Sequence, residues 1–170
     1  LEGFSTQLLD TRKTTPNFRL LEKEAVRIGG GVNHRFGLYD MIMLKDNHID
    51  YCGGIEKAIA KAIAYVEQVK PGLKIEVETR NLTDLQLAVA AGTGKVARLM
   101  LDNFTPEQVY AALEWMETAG VRRAFETEAS GGIHLDNIQS YAATGVDFVS
   151  VGSLIHQAKS LDLSLKAVLL

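Results

Sequence analysis

Along the chain, short apolar or β-branched runs alternate with longer runs whose hydrophobic residues return every three or four positions. The short runs, Gln7–Asp10, Met41–Lys45, Ile75–Thr79, Arg98–Leu101, Ala124–Thr127 and Phe148–Val151, predict six buried strands. Between Gly54 and Pro71, the residues Ile55, Ile59, Ile63 and Val66 mark one face of a helix. Asn81–Ala91 predicts another, stopped at Gly92, where glycine tolerates the left-handed cap conformation. Thr105-Pro106-Glu107-Gln108 starts a further helix that should run to about Ala119. Threonine caps it, proline suits its first position, and glutamine three residues on completes a capping box. A short helix follows His134 and ends near Gly145.

Strand and helix in repeated alternation favour a parallel sheet with both faces covered. A barrel and an open doubly wound sheet both fit. No glycine-rich dinucleotide fingerprint follows the first strand, which weighs against the open version. The expected fold is therefore α/β, a parallel (β/α) barrel of TIM-like type, incomplete over this length. In such a barrel, chemistry gathers at the C-terminal ends of the strands.

Composition narrows the picture further. The chain has 170 residues, 46% of them hydrophobic, so one domain over residues 1–170 can bury a substantial core. A net charge of −3 and a pI near 5.8 argue against a nucleic-acid surface. No run of about 18 apolar residues exists, so no membrane span is expected. A single cysteine, Cys52, cannot form an internal disulfide and points to a reducing cytoplasm. The start, Leu1-Glu2-Gly3-Phe4, has no signal-peptide character, and its lack of methionine suggests a fragment.

Four permanent cations follow the first two strands and the intervening helix. Asp10-Thr11-Arg12-Lys13-Thr14-Thr15-Pro16 comes after the first strand, and Gly29-Gly30-Gly31-Val32-Asn33-His34-Arg35 after the first helix. The second strand ends in Lys45-Asp46-Asn47-His48. Arg12, Lys13, Arg35 and Lys45, with titratable His34, suit a small ligand that carries two carboxylates, because arginine forks match carboxylates bidentately. The competing reading is a solvated charged rim. Three adjacent glycines favour the ligand, since they let backbone approach closely. His34 alone reads more readily as a structural histidine, and so does His48. No zinc-type ligand spacing is present.

The third strand alternates Ile75-Glu76-Val77-Glu78, which puts both glutamates on one face. A buried glutamate needs a polar partner or an ion. Glu78 lies nearer the C-terminal end, and the fourth strand delivers Asp102 to the same level. Paired carboxylates there can hold magnesium and a phosphate-rich substrate through water, or stabilise a cationic sugar. The alternative is a structural pair with Lys13 or Lys45. The last two strands end in Ser130-Gly131-Gly132 and Gly152-Ser153, where barrel enzymes often cradle phosphate with backbone amides. His156 either donates to that phosphate or lines a surface helix.

Several of these runs, in order, resemble the quinolinate phosphoribosyltransferase family. They are Leu9-Asp10-Thr11-Arg12-Lys13-Thr14-Thr15-Pro16, Gly30-Gly31-Val32-Asn33-His34-Arg35, Leu44-Lys45-Asp46-Asn47-His48, Glu76-Val77-Glu78, Leu101-Asp102-Asn103-Phe104 and Glu128-Ala129-Ser130-Gly131-Gly132-Ile133. The resemblance covers nearly the whole chain. It implies transfer of phosphoribosyl from phosphoribosyl pyrophosphate to quinolinate, giving nicotinate mononucleotide, pyrophosphate and carbon dioxide in NAD biosynthesis. By motif match, Arg12, His34, Arg35 and Lys45, beside Thr11, hold the quinolinate carboxylates. Lys13, Glu78 and Asp102 are the catalytic set and face the ribose and its magnesium-bound pyrophosphate. Ser130, Gly131, Gly132, Gly152, Ser153 and His156 receive the donor's phosphate.

The resemblance also implies an N-terminal α/β domain that this chain lacks, and a homodimer or larger assembly in which that domain lends an arginine to the partner's site. Leu161-Asp162-Leu163-Ser164-Leu165-Lys166, within a return segment over about 161–170, resembles the strand that leads back to it. Departures from the family pattern are Asn17 after the proline, a longer Gly92–Arg98 connection, and His134 at an expected helix cap. Rival readings are a nicotinate phosphoribosyltransferase, a molybdenum-transport-associated paralogue, and a non-catalytic phosphate-sugar sensor. A nicotinate enzyme reads one carboxylate, which the full cation set speaks against.

Overall fold

All six expected strands form, and all pair in parallel. The computed structural model describes residues 1–168; residues 169 and 170, at the end of the expected return segment, lie outside the described residues. The strands are β1 (Gln7–Leu9), β2 (Ile42–Leu44), β3 (Ile75–Thr79), β4 (Arg98–Asp102), β5 (Glu126–Ser130) and β6 (Phe148–Ser150). Their order is β1-β6-β5-β4-β3-β2. That is a barrel walked round in sequence and left without a ladder between β1 and β2. One isolated bridge, Leu9 to Val32, continues the wall beyond β1, with the Val32 N–H donating to the Leu8 carbonyl at 2.8 Å.

Helices α1 (Arg19–Ile28), α2 (Asp46–Cys52), α3 (Ile55–Gln68), α4 (Leu82–Gly92), α5 (Pro106–Thr118), α6 (Ile138–Ala142) and α7 (Ser153–His156) connect the strands. Period-2 alternation and parallel register sort the sheet's two faces. Val77, Leu99, Ala129 and Val149 point outward into the main core, against Ile59 of α3, Leu85 of α4, and Val109 and Met116 of α5. Glu76 and Glu78, Arg98 and Met100, and Glu126 and Glu128 share the opposite, interior face. The barrel is thus filled with charge, whereas branched aliphatics are the usual filling.

Several boundaries differ from expectation. β5 starts at Glu126, two residues later than predicted, because a 3-10 turn takes Arg122–Ala124. Arg122 anchors that turn through a forked pair with Asp147 at 2.9 and 3.0 Å. Gly92 ends α4 without left-handed backbone, which falls instead on Gly94. Gly92 is required for space, since a Cβ there would meet the Val96 side chain. α2 was not anticipated, and His48 serves it structurally by accepting the Lys45 N–H on Nδ1 at 3.0 Å. Thr105 caps α5 and Gln108 returns the bond, as the sequence predicts. His134 is no helix cap. Its carbonyl accepts the N–H groups of Asn137 and Ile138, and α6 begins only at Ile138. Leu161–Lys166 forms no strand and stands exposed.

The first helix is inside out. Arg19, Glu22 and Lys23 face the protein, while Leu20, Leu21 and Ile28 are 71%, 61% and 74% exposed. Lys23 is buried and donates to Asp10 at 2.6 Å and to the His34 carbonyl at 3.0 Å.

Candidate active site

Two hollows of similar size flank the sheet. One, of about 840 Å³, lies by Tyr110, Arg123 and Phe125 at the N-terminal strand ends, where its chief cation, Arg122, is already tied to Asp147. The other, of about 810 Å³, opens at the C-terminal strand ends and gathers unpaired cations, carboxylates and glycines. Convergent chemistry, not volume, makes the second the functional candidate. Every residue singled out from sequence lines it: Thr11, Arg12, Lys13, His34, Arg35, Lys45, Glu78, Asp102, Ser130, Gly131, Gly132, Gly152, Ser153 and His156. Sequence reasoning missed Met43, Met100 and Ile133, which give the cavity an apolar part, and the interior Glu128. Glu128 lay in a quoted motif, but its inward direction depends on the β5 register.

The cationic wall hangs from a buried clasp. Asp10 accepts from Lys23 Nζ at 2.6 Å, Asn33 Nδ2 at 2.7 Å and the His34 N–H at 2.8 Å. These bonds satisfy a wholly buried carboxylate and fix β1 against the glycine-rich segment. Arg19 reinforces the loop by donating to the Arg12 carbonyl at 3.3 Å. Arg35 donates to the Met41 carbonyl at 3.1 Å and approaches the Met43 sulfur at 3.5 Å. Burial and the neighbouring Arg12 charge lower its pKa. The Nε of Arg12 is buried with no hydrogen-bond partner. Among the described residues this donor has no acceptor, and with a second guanidinium beside it the pair could bond an anion.

Opposite stands the acidic pair. Glu78 sits 3.4 Å from Lys45 Nζ and accepts the Asp46 N–H at 3.3 Å. Asp102 is pushed up from the ordinary carboxylate range by burial and by the Glu78 charge. Asn103 counters this by donating to Asp102 at 2.6 Å. The mutual repulsion of Glu78 and Asp102 is what a bound cation would relieve.

The glycines explain themselves by crowding. Gly131 has φ of +94°, and a Cβ there would collide with the Asn103 side chain. At Gly152 a Cβ would stand 2.9 Å from His156 Nε2 and 3.7 Å from Lys13 Cδ. The loops after β4 and β5 thus meet at Gly131, those after β1 and β6 meet at Gly152, and all four line the one cavity. The helix expected after His134 starts at Ile138, so the amides near Gly131 belong to a loop.

Below the cavity, His34 turns inward. Its Nε2 lies 3.0 Å from Glu76 Oε2 and 3.3 Å from Glu128 Oε2. Arg98 bonds Glu128 at 3.0 Å and Glu126 at 2.9 Å, with its guanidinium carbon 4.2 Å from the Phe148 ring centroid. Burial opposes the His34 imidazolium, yet contact with Glu128 and Glu76 outweighs it and pushes the pKa up to about 9. Burial and the Glu128 charge push Glu76 up to about 7. Glu128 is held low, because His34 and Arg98 outweigh its burial. The three side chains stand close enough to share a metal ion. However, in the neutral ring, where Nδ1 accepts the Arg35 N–H at 2.6 Å, the proton sits on Nε2, and in the imidazolium both nitrogens are protonated. A protonated Nε2 has no lone pair for a metal.

Residues 1–166 match the model of the quinolinate phosphoribosyl transferase C-terminal domain. Quinolinate phosphoribosyltransferase [decarboxylating] 1b of Nicotiana tabacum is 44% identical over 166 residues, which are 94% of this chain and 47% of the relative. A probable nicotinate-nucleotide pyrophosphorylase [carboxylating] of Bacillus subtilis is 44% identical over 169 residues, 99% of this chain and 55% of the relative. The crystal structure of NadC from Streptococcus pyogenes superposes with a TM-score of 0.84 at 47% identity, covering 96% of this chain and 53% of that one. The chain spans about half the length of the curated relatives it matches. It belongs to the quinolinate phosphoribosyl transferase family, as its C-terminal domain.

Proposed function

We propose that the protein carrying this chain transfers phosphoribosyl from phosphoribosyl pyrophosphate to quinolinate and releases carbon dioxide, forming nicotinate mononucleotide and pyrophosphate. The observation that carries this reading is the pairing of Arg12, with its buried, partnerless Nε, and Arg35. Together with Lys45 they suit a planar dicarboxylate. Met43 and Met100 offer the pyridine ring an apolar surface.

The acidic side takes the donor. Magnesium fits there, because Glu78 and Asp102 repel one another at the cavity mouth. They would hold it indirectly, through water or the bound donor, and it would neutralise pyrophosphate charge. Lys13 stands over Gly152 beside His156 and stabilises the departing pyrophosphate, while Ser130, Gly131, Gly132 and Ser153 receive the 5′-phosphate. As the carbon–pyrophosphate bond breaks, Glu78 and Asp102 stabilise positive charge on the ribose. The pyridine nitrogen then forms its bond to the anomeric carbon. The resulting cationic ring accepts the electron pair of the breaking carbon–carboxylate bond, carbon dioxide leaves, and the ring carbon takes a proton from solvent. Positioning and electrostatics supply the catalysis.

In the same reading the protein is cytoplasmic and works as a homodimer or larger, with a partner subunit supplying a further arginine. The unpaired Cys52 suits a reducing compartment. Among the described residues no helix is long and apolar enough to cross a membrane.

The test is release of labelled carbon dioxide from quinolinate by the full gene product. Release should require phosphoribosyl pyrophosphate, and nicotinate should serve as a poor acceptor. Efficient use of nicotinate without carbon dioxide release would overturn the assignment.

A further inference from the structure

Asn103 takes up a backbone conformation that its neighbours explain. Its φ is +57°, in the left-handed region that few residues other than glycine enter. Consecutive residues of a strand point to opposite faces, so adjacent side chains within β4 do not meet. At Asn103 the left-handed turn ends the strand, and its carboxamide reaches back to donate from Nδ2 to Asp102 Oδ2 at 2.6 Å. The Asn103 N–H donates to the Ser130 carbonyl at 2.8 Å, one step beyond Asp102 and Ser130, the last ladder pair of β4 and β5. Past the turn, Phe104 is buried and its carbonyl accepts from the Tyr141 hydroxyl at 3.0 Å. The turn is thus tied down on both sides.

The oxygen end of the carboxamide is equally confined. A Cβ at Gly131 would collide with Asn103 Oδ1 and stand 3.0 Å from the Asn103 nitrogen. The carboxamide therefore lies between the Asp102 carboxylate and the Gly131 backbone.

We propose that Asn103 is a positioning residue for the phosphoribosyl donor: its carboxamide holds the Asp102 carboxylate toward the ribose, at a fixed spacing from the Gly131 loop that takes the 5′-phosphate. The inference rests on reading Asp102 as the residue that faces the ribose.

Asp102 needs such a hold. Glu78, on the adjacent strand, carries a like charge that repels it. Lys45, which attracts Asp102, already stands 3.4 Å from Glu78. Among the described residues, Asn103 Nδ2 is the only hydrogen-bond donor to the Asp102 side chain, and it leaves Oδ1 free for the donor substrate. Glycine would adopt the left-handed turn at less cost than asparagine does, so the backbone alone does not account for the carboxamide.

Two substitutions separate the side chain from the turn. Asn103→Gly keeps the left-handed backbone and loses the carboxamide. Asn103→Asp keeps its shape and loses the donor. On the full gene product, either should lower kcat by about tenfold, the equivalent of one hydrogen bond. Quinolinate affinity, measured by calorimetry without the donor, should stay at the wild-type value. In crystals of ligand-free Asn103→Gly, the Asp102 side chain should leave the rotamer it holds in the wild type. Wild-type turnover in either variant would reduce Asn103 to a backbone or space-filling role and overturn the proposal. So would an unmoved Asp102, or a loss of quinolinate affinity as large as the loss of kcat. Should the wild type release no carbon dioxide, the functional reading falls, and the Asp102 rotamer in Asn103→Gly still decides whether Asn103 holds it.

Discussion

Arg35 and Asp102 mark the two sides of one cavity, and single substitutions should separate them. Arg35→Ala removes a charge-assisted fork worth on the order of 1.5–3 kcal/mol. Quinolinate affinity should fall by roughly tenfold to a hundredfold, with donor affinity largely kept. Asp102→Asn keeps shape and removes charge that matters most as the ribose becomes cationic. Its turnover should drop more than its quinolinate affinity. Calorimetry and steady-state rates on both variants check this, and equal small effects on both substrates would favour a solvated charged rim. Much of this site was legible, because Arg12, Lys45, Glu78 and Asp102 stand in or just beyond strand ends and Arg35 follows the glycine run after α1. The clasp was not. Lys23 sits in a helix, where a lysine ordinarily faces water, and only folding brings it to Asp10, thirteen residues away.

Element by element, the alternation predicted the strands well, since a buried parallel strand is a short apolar run with or without polar partners. What it misplaced was decided over distance. β5 begins late because Asp147, twenty residues beyond Thr127, holds both Arg122 and the Thr127 N–H. α2 was missed because Asp46–Cys52 shows no apolar periodicity. The Asp147 clamp has a pH signature. Burial raises its pKa, but bonds from Arg122 and Thr127 outweigh burial and lower it. A lowered carboxylate contributes stability above its unfolded value, here 3.8, and loses it as pH falls through the folded value. Asp147→Asn should therefore melt well below wild type at pH 7, and the gap should narrow below about pH 4. Thermal unfolding across that range measures it, and a gap independent of pH would remove the ion pair from the account.

At the scale of the molecule, the apolar residues left outside offer a surface to the homodimer proposed above. Leu20, Leu21 and Ile28 on α1, with Leu38, Tyr39 and Tyr51 nearby in sequence, are all exposed. So are Leu163, Leu165 and Val168 in the tail. Scattered exposed leucines are ordinary, but a helix that buries its lysine and presents its leucines is arranged for contact. Leu21→Glu in the full gene product should lower the mass found by sedimentation, while circular dichroism stays close to wild type. An unchanged mass would place the subunit contact elsewhere. This face was partly hidden from sequence reasoning, because helical periodicity alone shows that α1 has an apolar stripe and leaves its direction open.

The missing ladder between β1 and β2 gives the two sides of the cavity unequal stiffness. Glu78, Asp102 and Ser130 sit on β3, β4 and β5, each bonded to a strand on both sides. Arg12 and Lys45 follow the two edge strands, and Arg35 rides a segment held by one bridge and the Asp10–Lys23 clasp. Local opening should cost least along that seam, so the backbone there should open more readily than the strands that carry Glu78 and Asp102. A dicarboxylate bridging Arg12 and Arg35 would then do what the absent ladder does not. It would staple the seam, and on the proposed reading the acceptor substrate would become a structural member of the wall around it.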